Sequence, residues 1–176
     1  MNQWNHSLIE EIYQKKISEK SEDRDNLLKL TSHRLYGEKI HYALELIQNA
    51  DDEEASSITF IFDKDKVTVI NDGKPFDEDD VWAICSVKPG RKRNKIGFFG
   101  IGFKSVFNIT NAPQIISGQY NFRIKDYIYP EPSSSLPPEI KRCYTQGKGA
   151  IFILPYVDGL ANPSELIESL CPICIK

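Results

Sequence analysis

Glu45-Leu46-Ile47-Gln48-Asn49-Ala50-Asp51-Asp52 is the stretch from which the fold is read. On a helix of 3.6 residues per turn, Glu45, Asn49 and Asp52 fall within about 60° of one another. Ile40, Ala43, Leu44, Ile47 and Ala50 fall on the opposite side. That apolar side is expected to pack on a sheet, while the other presents two carboxylates and an amide. Such a face can simply be solvated. However, an amide beside carboxylates is also a good oxygen set for magnesium, which keeps several waters and takes few protein ligands. A carboxylate one turn from such a ligand is placed to orient a water for attack on a phosphate.

About fifty residues downstream runs Gly97-Phe98-Phe99-Gly100-Ile101-Gly102-Phe103-Lys104-Ser105. It is one residue longer than a P-loop and has no apolar strand before it, so it is not that motif. Nor is it GxGxxG, because the spacing is reversed. What remains is GxxGxG opening into a helix over about 102–110. Backbone amides freed by the glycines, with the positive end of that helix, would hold phosphate oxygens, and Lys104 or Ser105 would assist. The competing reading is a tight turn that needs positive φ. Between the two stretches lies Asn71-Asp72-Gly73-Lys74-Pro75-Phe76, closing an apolar run. Residues 86–95 hold Lys88, Arg91, Lys92, Arg93 and Lys95 without one acid. A basic loop placed just before a phosphate loop reads best as a lid over phosphates. Without interleaved aromatics it is a poor nucleic-acid surface.

Outward from these segments, Leu8, Ile9, Ile12, Tyr13 and Ile17 give a helix over 5–20, and a long helix is expected over about 33–53. Strands 57–62 and 66–70 form a hairpin about Asp63-Lys64-Asp65. Asp77 opens a short helix with carboxylates in its first turn. Strands 113–118 and 120–125 precede a proline- and serine-rich loop, 129–138. A last strand, 150–154, leads to a terminal helix, 162–175. This order gives an α/β (α+β) two-layer sandwich with a mixed, mostly antiparallel sheet and helices on one face.

A chain of 176 residues suits one domain and buries roughly 70% of its unfolded surface. Charged residues at 27%, apolar residues at 40% and a net charge of −3 are ordinary for a soluble protein and give no pull towards nucleic acid or membrane. No apolar run is long enough for a membrane span and no signal pattern opens the chain, so a cytoplasmic protein with reduced thiols is expected. Cys171 and Cys174 form a single CxxC that cannot complete a zinc site alone. The apolar tail Leu166, Ile167, Leu170, Ile173 and Ile175 has no segment after it, as in a domain of a longer protein or a partner surface.

In order, ExxxNAxD, (N/D)xGxxF and GxxGxG resemble the motifs of the GHKL, or Bergerat-fold, ATPases: gyrase, heat-shock chaperones, histidine kinases and MutL. The continuation Phe103-Lys104-Ser105-Val106-Phe107 is most similar to the sacsin and heat-shock-chaperone branch. The motifs cover about 40–107, and an ATPase core would run over about 30–156. The resemblance implies that Glu45 is the general base, Asn49 the magnesium ligand and Asp52 a helper at the nucleotide. Asn71 stands where the family usually has an aspartate that accepts a hydrogen bond from the adenine amino group. Gly73 and Phe76 match the first glycine box, whereas Pro75 replaces its second glycine. Gly97, Phe99, Gly100, Ile101, Gly102, Phe103 and Lys104 form the phosphate loop, with Lys88 in the lid. Ala150 takes the place of a threonine that many members carry after Gly149.

The expected function is magnesium-dependent ATP binding with slow hydrolysis, in a chaperone-like module that changes conformation or dimerises with nucleotide inside a larger assembly. Family members often take a catalytic lysine from a further domain, so turnover by this chain alone is expected to be weak. The alternative is a nucleotide sensor or protein-interaction module that binds without hydrolysis, with further domains or partners at the terminal helix. A kinase reading is disfavoured, since His6, His33 and His41 lie in no phosphoacceptor helix pair. Neither membrane nor nucleic acid is an expected partner.

Overall fold

Two-residue alternation along the strands divides their apolar side chains between two cores. The computed structural model describes residues 4–18, 41–86, 102–138, 140 and 148–157. Six strands, β1 (Ile58–Phe62), β2 (Lys66–Asn71), β3 (Gln114–Ser117), β4 (Tyr120–Lys125), β5 (Tyr129–Pro132) and β6 (Ala150–Pro155), form one sheet. Their spatial order is β1-β2-β6-β3-β4-β5. Each pairing is antiparallel, so the mixed sheet allowed by the sequence is antiparallel throughout the described residues. The predicted β1–β2 hairpin is present, with Asp63 N–H donating to the Lys66 carbonyl across its turn at 2.9 Å.

Successive side chains on a strand point to opposite faces. Val67, Val69, Ile115, Phe122, Phe152 and Leu154 enter the main core, where they meet the three helices α1 (His6–Ser18), α2 (His41–Asp52) and α3 (Glu78–Ile84). The intervening residues Ile116, Ile151 and Ile153 form a smaller core with Ile140 on the other face, packed against Trp4, Ile70 and Leu136. The result is a two-layer α/β sandwich whose second sheet face is covered by the chain around 136–140.

Local signals hold where they are strongest. Asp77 caps α3, accepting from Asp80 N–H at 2.9 Å, while Asp80 accepts from Asp77 N–H at 3.0 Å. This reciprocal capping contributes about 1 kcal/mol. Two expectations change. Tyr129–Pro132, predicted as loop, is strand β5. Its Pro130 and Pro132 are tolerated because the strand lies at the sheet edge, where one side of the backbone has no ladder partner. The helix expected over 102–110 is shorter: Gly102 and Phe103 are helical, and Lys104–Asn108 continue as a 3-10 turn. The start of α2 before His41, residues 86–95 beyond Ser86, the glycine segment up to Ile101 and the terminal helix lie outside the described residues. Among the described residues, no helix is long and apolar enough to cross a membrane.

The first helix, beyond the reach of the motifs, covers the far end of the sheet against β4 and β5. Asn5 N–H donates to the Gln119 carbonyl at 2.8 Å, and Tyr13 meets Tyr129 edge-on at 6.2 Å. At the opposite end, the chain leaving α2 is tied to the chain leaving β2 by Asp72. One carboxylate oxygen accepts from the backbone N–H groups of Ser56 and Ser57 at 2.9 and 2.8 Å, and the other accepts from the Ser56 hydroxyl at 2.5 Å.

These bonds, the Ser56 hydroxyl first, bring the exposed Asp72 carboxyl down to about 2. A depressed carboxylate adds stability above its unfolded value of about 3.9 and loses it as pH falls through the folded value. Asp72→Asn is therefore expected to melt lower than wild type at neutral pH. The gap should close between about pH 4 and 2, as followed by thermal denaturation across pH; parallel curves would show that the charge is immaterial.

Candidate functional site

The α2 helix is set deeper and turned further than its apolar spacing predicts. Tyr42, Ala43, Leu46, Asn49 and Ala50 are buried, whereas Leu44 is 40% exposed. The buried arc is rotated by about 100° from the predicted one, towards Asn49. Tyr42 and Leu46, large side chains each about 1% exposed, fill the main core and fix that rotation. Glu45, Asn49 and Asp52 accordingly border the buried stripe instead of facing away from it.

The consequence is that polar atoms along α2 lie below the surface. Asn49 is 3% exposed. Its Nδ2, Oδ2 of Asp52, the Tyr42 hydroxyl and Oγ of Ser105 are buried without a hydrogen-bond partner among the described residues. Three of the four belong to α2, and Ser105 belongs to the 3-10 turn that packs against α2. Leaving such a group unsatisfied costs about 1–3 kcal/mol, and native interiors leave few of them. At the start of the helix, burial and then the neighbouring Tyr156 push the Tyr42 hydroxyl well above the usual phenol range. That phenol therefore stays protonated.

Three glycines bring the predicted segments together. A Cβ on Gly102 would collide with the Glu45 carboxylate, standing 2.7 Å from its Cδ. The end of the glycine loop therefore lies against the candidate base. A Cβ on Gly73 would stand 2.8 Å from the Glu53 carbonyl oxygen, and Lys74 N–H donates to that same oxygen at 2.9 Å. Gly149, at φ +60, donates its N–H to the Gly73 carbonyl at 2.7 Å. A Cβ on Gly149 would be 2.7 Å from the Asn71 carbonyl carbon. From α2 to β2 to β6, main chain lies on main chain.

Residues 34–132, more than half of the 176-residue chain, match the sacsin domain family. The chain belongs to that family. The matched span contains Glu45, Asn49, Asp52, Asn71, Gly73 and Gly102, and ends before β6. Protein NO VEIN of Arabidopsis thaliana is 36% identical over 104 residues, covering 54% of this chain and 4% of that protein. Sacsin of Homo sapiens is 38% identical over 94 residues, covering 42% of this chain and 2% of that protein. The chain thus spans a few per cent of the length of either relative.

Within this sacsin-type domain several predicted contacts take a different form. Lys104, expected at phosphate, is 5% exposed, and its Nζ donates at 2.5 Å to the carbonyls of Ile84 and Tyr127. The 3-10 winding turns this side chain into the core, where it joins the end of α3 to the turn after β4. Phe76 and Phe103 are core residues, their rings 6.3 and 5.7 Å from that of Phe152. The Asn71 side-chain oxygen accepts from the N–H groups of Gly73 and Ala150 at 3.2 and 3.3 Å. Lys88, Gly97, Phe99, Gly100 and Ile101 lie outside the described residues.

Sequence reasoning missed Ser117 and the steric role of Gly149. Ser117 sits opposite Ala150 in the β3–β6 register. Its hydroxyl donates to the Gly149 carbonyl at 2.6 Å and accepts from Phe76 N–H at 2.9 Å, binding the first glycine box to β6. No sequence spacing marks this residue, since it becomes visible only through strand register. Cys85 is fully buried, and burial pushes its thiol up to about 12, which makes it an inert core residue.

The glycines separate packing from chemistry. At Gly102 the colliding atoms are the far end of a flexible side chain, so Gly102→Ala is expected to fold with a nearly unchanged melting temperature while pushing Glu45 aside. Gly149→Ala meets the Asn71 main chain at a positive φ and is expected to cost about 1–3 kcal/mol. Chemical denaturation of both variants checks this; equal losses would show that Glu45 is as rigid as the main chain.

Proposed function

We propose that this sacsin-type domain binds a magnesium-complexed nucleoside triphosphate and hydrolyses it slowly, as the conformational module of a larger protein. ATP is the nucleotide that the GHKL resemblance implies. The observation carrying this reading is the Glu45 carboxylate standing against Gly102, with Asn49, 3% exposed, one turn further along the same helix. A solvated helix face would not bury Asn49.

The donor set fits the metal. Magnesium is bound by one or two protein oxygens, with waters and substrate phosphates completing its shell. Among the described residues, no group of three histidine, cysteine or acidic side chains could cage an ion. Asn49 would hold the ion, and Asp52 would orient its waters. When bound, the ion supplies neutralising charge at the phosphate oxygens. Glu45 would take the proton of a water aimed at the terminal phosphate, within hydrogen-bond reach of its carboxylate. Gly102, having no side chain, leaves room for that carboxylate and would let the main chain there approach phosphate.

A second reading, a nucleotide sensor that does not hydrolyse, is favoured by Lys104. Its ammonium is committed to two carbonyls, which removes one of the cations expected at the phosphates.

Titration calorimetry with ATP, with and without magnesium, together with a phosphate-release assay, separates these readings. Wild type is expected to bind only with magnesium. Asn49→Ala should weaken that binding at least about tenfold, a loss of about 1.4 kcal/mol. Glu45→Ala should bind normally and release no phosphate. Equal release by wild type and Glu45→Ala would remove the base assignment, and no release by either would leave the sensor.

A further inference from the structure

The two edges of the sheet differ in kind. At one, β5 carries Pro130 and Pro132, which have no N–H to offer, and α1 packs against it. Such devices keep an edge from pairing with another chain. At the other, β1 reads Ile58-Thr59-Phe60-Ile61-Phe62, with neither a proline nor a charge. Hydrogen bonds at its two ends fix the direction of its main chain. Asp63 N–H donates to the Lys66 carbonyl at 2.9 Å, and Asp72 N–H donates to the Ser57 carbonyl at 3.4 Å. Alternation along an antiparallel pair then turns the main-chain groups of Thr59 and Ile61 towards β2, and those of Ile58, Phe60 and Phe62 to the open edge. The Phe60 and Phe62 rings stack at 6.3 Å on the side of the main core, whereas Ile61, on the other face, is 40% exposed.

We propose that β1 pairs antiparallel with β1 of a second copy of this chain, about a two-fold axis at Phe60. In that register the strand is complementary to itself. Phe60 faces Phe60 and Ile58 faces Phe62, the positions whose N–H and C=O groups point outward, so each pair exchanges main-chain bonds. On the face away from the helices Thr59 meets Ile61 and covers it. Just beyond the strand, Asp63 comes opposite Ser57, and Lys64 opposite Ser56, whose hydroxyl donates to the exposed Asp72 carboxylate. No two like charges stand directly opposed. The axis is normal to the sheet, so the helices of both copies stay on one side of a continuous sheet. Assembly closes at two copies, because the edges that remain are the proline-bearing β5 strands. This surface is independent of the nucleotide reading of α2.

Sedimentation equilibrium of the full chain, without nucleotide, decides the matter. Wild type is expected to pass from the mass of one chain to that of two as concentration rises, with a midpoint on the order of 10 µM, as suits a small interface. Thr59→Lys with Ile61→Lys sets lysine against lysine at both cross-strand pairs of the outer face and should raise that midpoint at least about tenfold. Thr59→Glu with Ile61→Lys sets glutamate against lysine at the same pairs and should dimerise at or below the wild-type midpoint. Both positions are exposed, and a melting curve confirms that each variant is folded. A wild type that stays monomeric at every concentration, or that grows beyond two copies, would overturn the proposal without recourse to any variant. Equal association by the two folded double variants would overturn it as well, since only self-pairing in this register tells them apart.

Discussion

Main chain approaching main chain more closely than a Cβ allows is the constraint that organises this molecule. At Gly73 it lets the exit of β2 rest on the last turn of α2, and at Gly149 it lets β6 enter beside Asn71. At Gly102 the close approach is instead to a side chain, the Glu45 carboxylate, which stands where a Cβ would be. Hydrogen bonds then lock what the missing side chains allow: Gly149 to Gly73, Lys74 to Glu53, Asn71 to Gly73 and Ala150, and Ser117 to Gly149. Each of these ties a segment distant in sequence to the neighbourhood of one short helix. The site is thus a product of backbone geometry before it is a product of side-chain chemistry.

That geometry explains why α2 carries buried polar groups. A helix rotated only to satisfy the core would turn Leu44 and Ile47 inward. Instead Tyr42 and Leu46 take the core, and Asn49 follows them below the surface with its Nδ2 unpartnered among the described residues. The arrangement forgoes stability at this place. By contrast, Lys104 and Cys85, also buried and polar by residue type, are settled parts of the scaffold. One is bonded to two carbonyls and the other is an apolar filler with a suppressed thiolate.

The parts legible in the sequence are those governed by neighbours along the chain. The hairpin 57–70, the carboxylate-rich start of α3 and the proximity of Glu45, Asn49 and Asp52 follow from turn chemistry, capping and helical period. What failed required knowledge of who lies across the sheet. Pro130 and Pro132 look like loop residues until the strand is known to be at an edge. Counting Leu44 and Ile47 as core misplaced the helix rotation, because apolar identity does not reveal which residues the sheet has room for. Lys104 follows a glycine-rich segment, yet the 3-10 winding aims it elsewhere. Asn71 was singled out by position alone, and the orientation of its amide depends on Ala150, seventy-nine residues away.

Strand β6 lies between β2 and β3, in the middle of a sheet whose other members all precede it in sequence. Without it the sheet is two separate pieces, the β1–β2 hairpin and the β3–β4–β5 meander, each with an unpaired edge. A chain emerging from the ribosome amino end first presents both pieces before the strand that unites them exists. Closure must wait until Pro155 has cleared the exit tunnel, and nascent chains in that interval expose two sticky rims to anything that binds edges. Among the described residues, the last strand in sequence is the one that joins the two halves of the sheet.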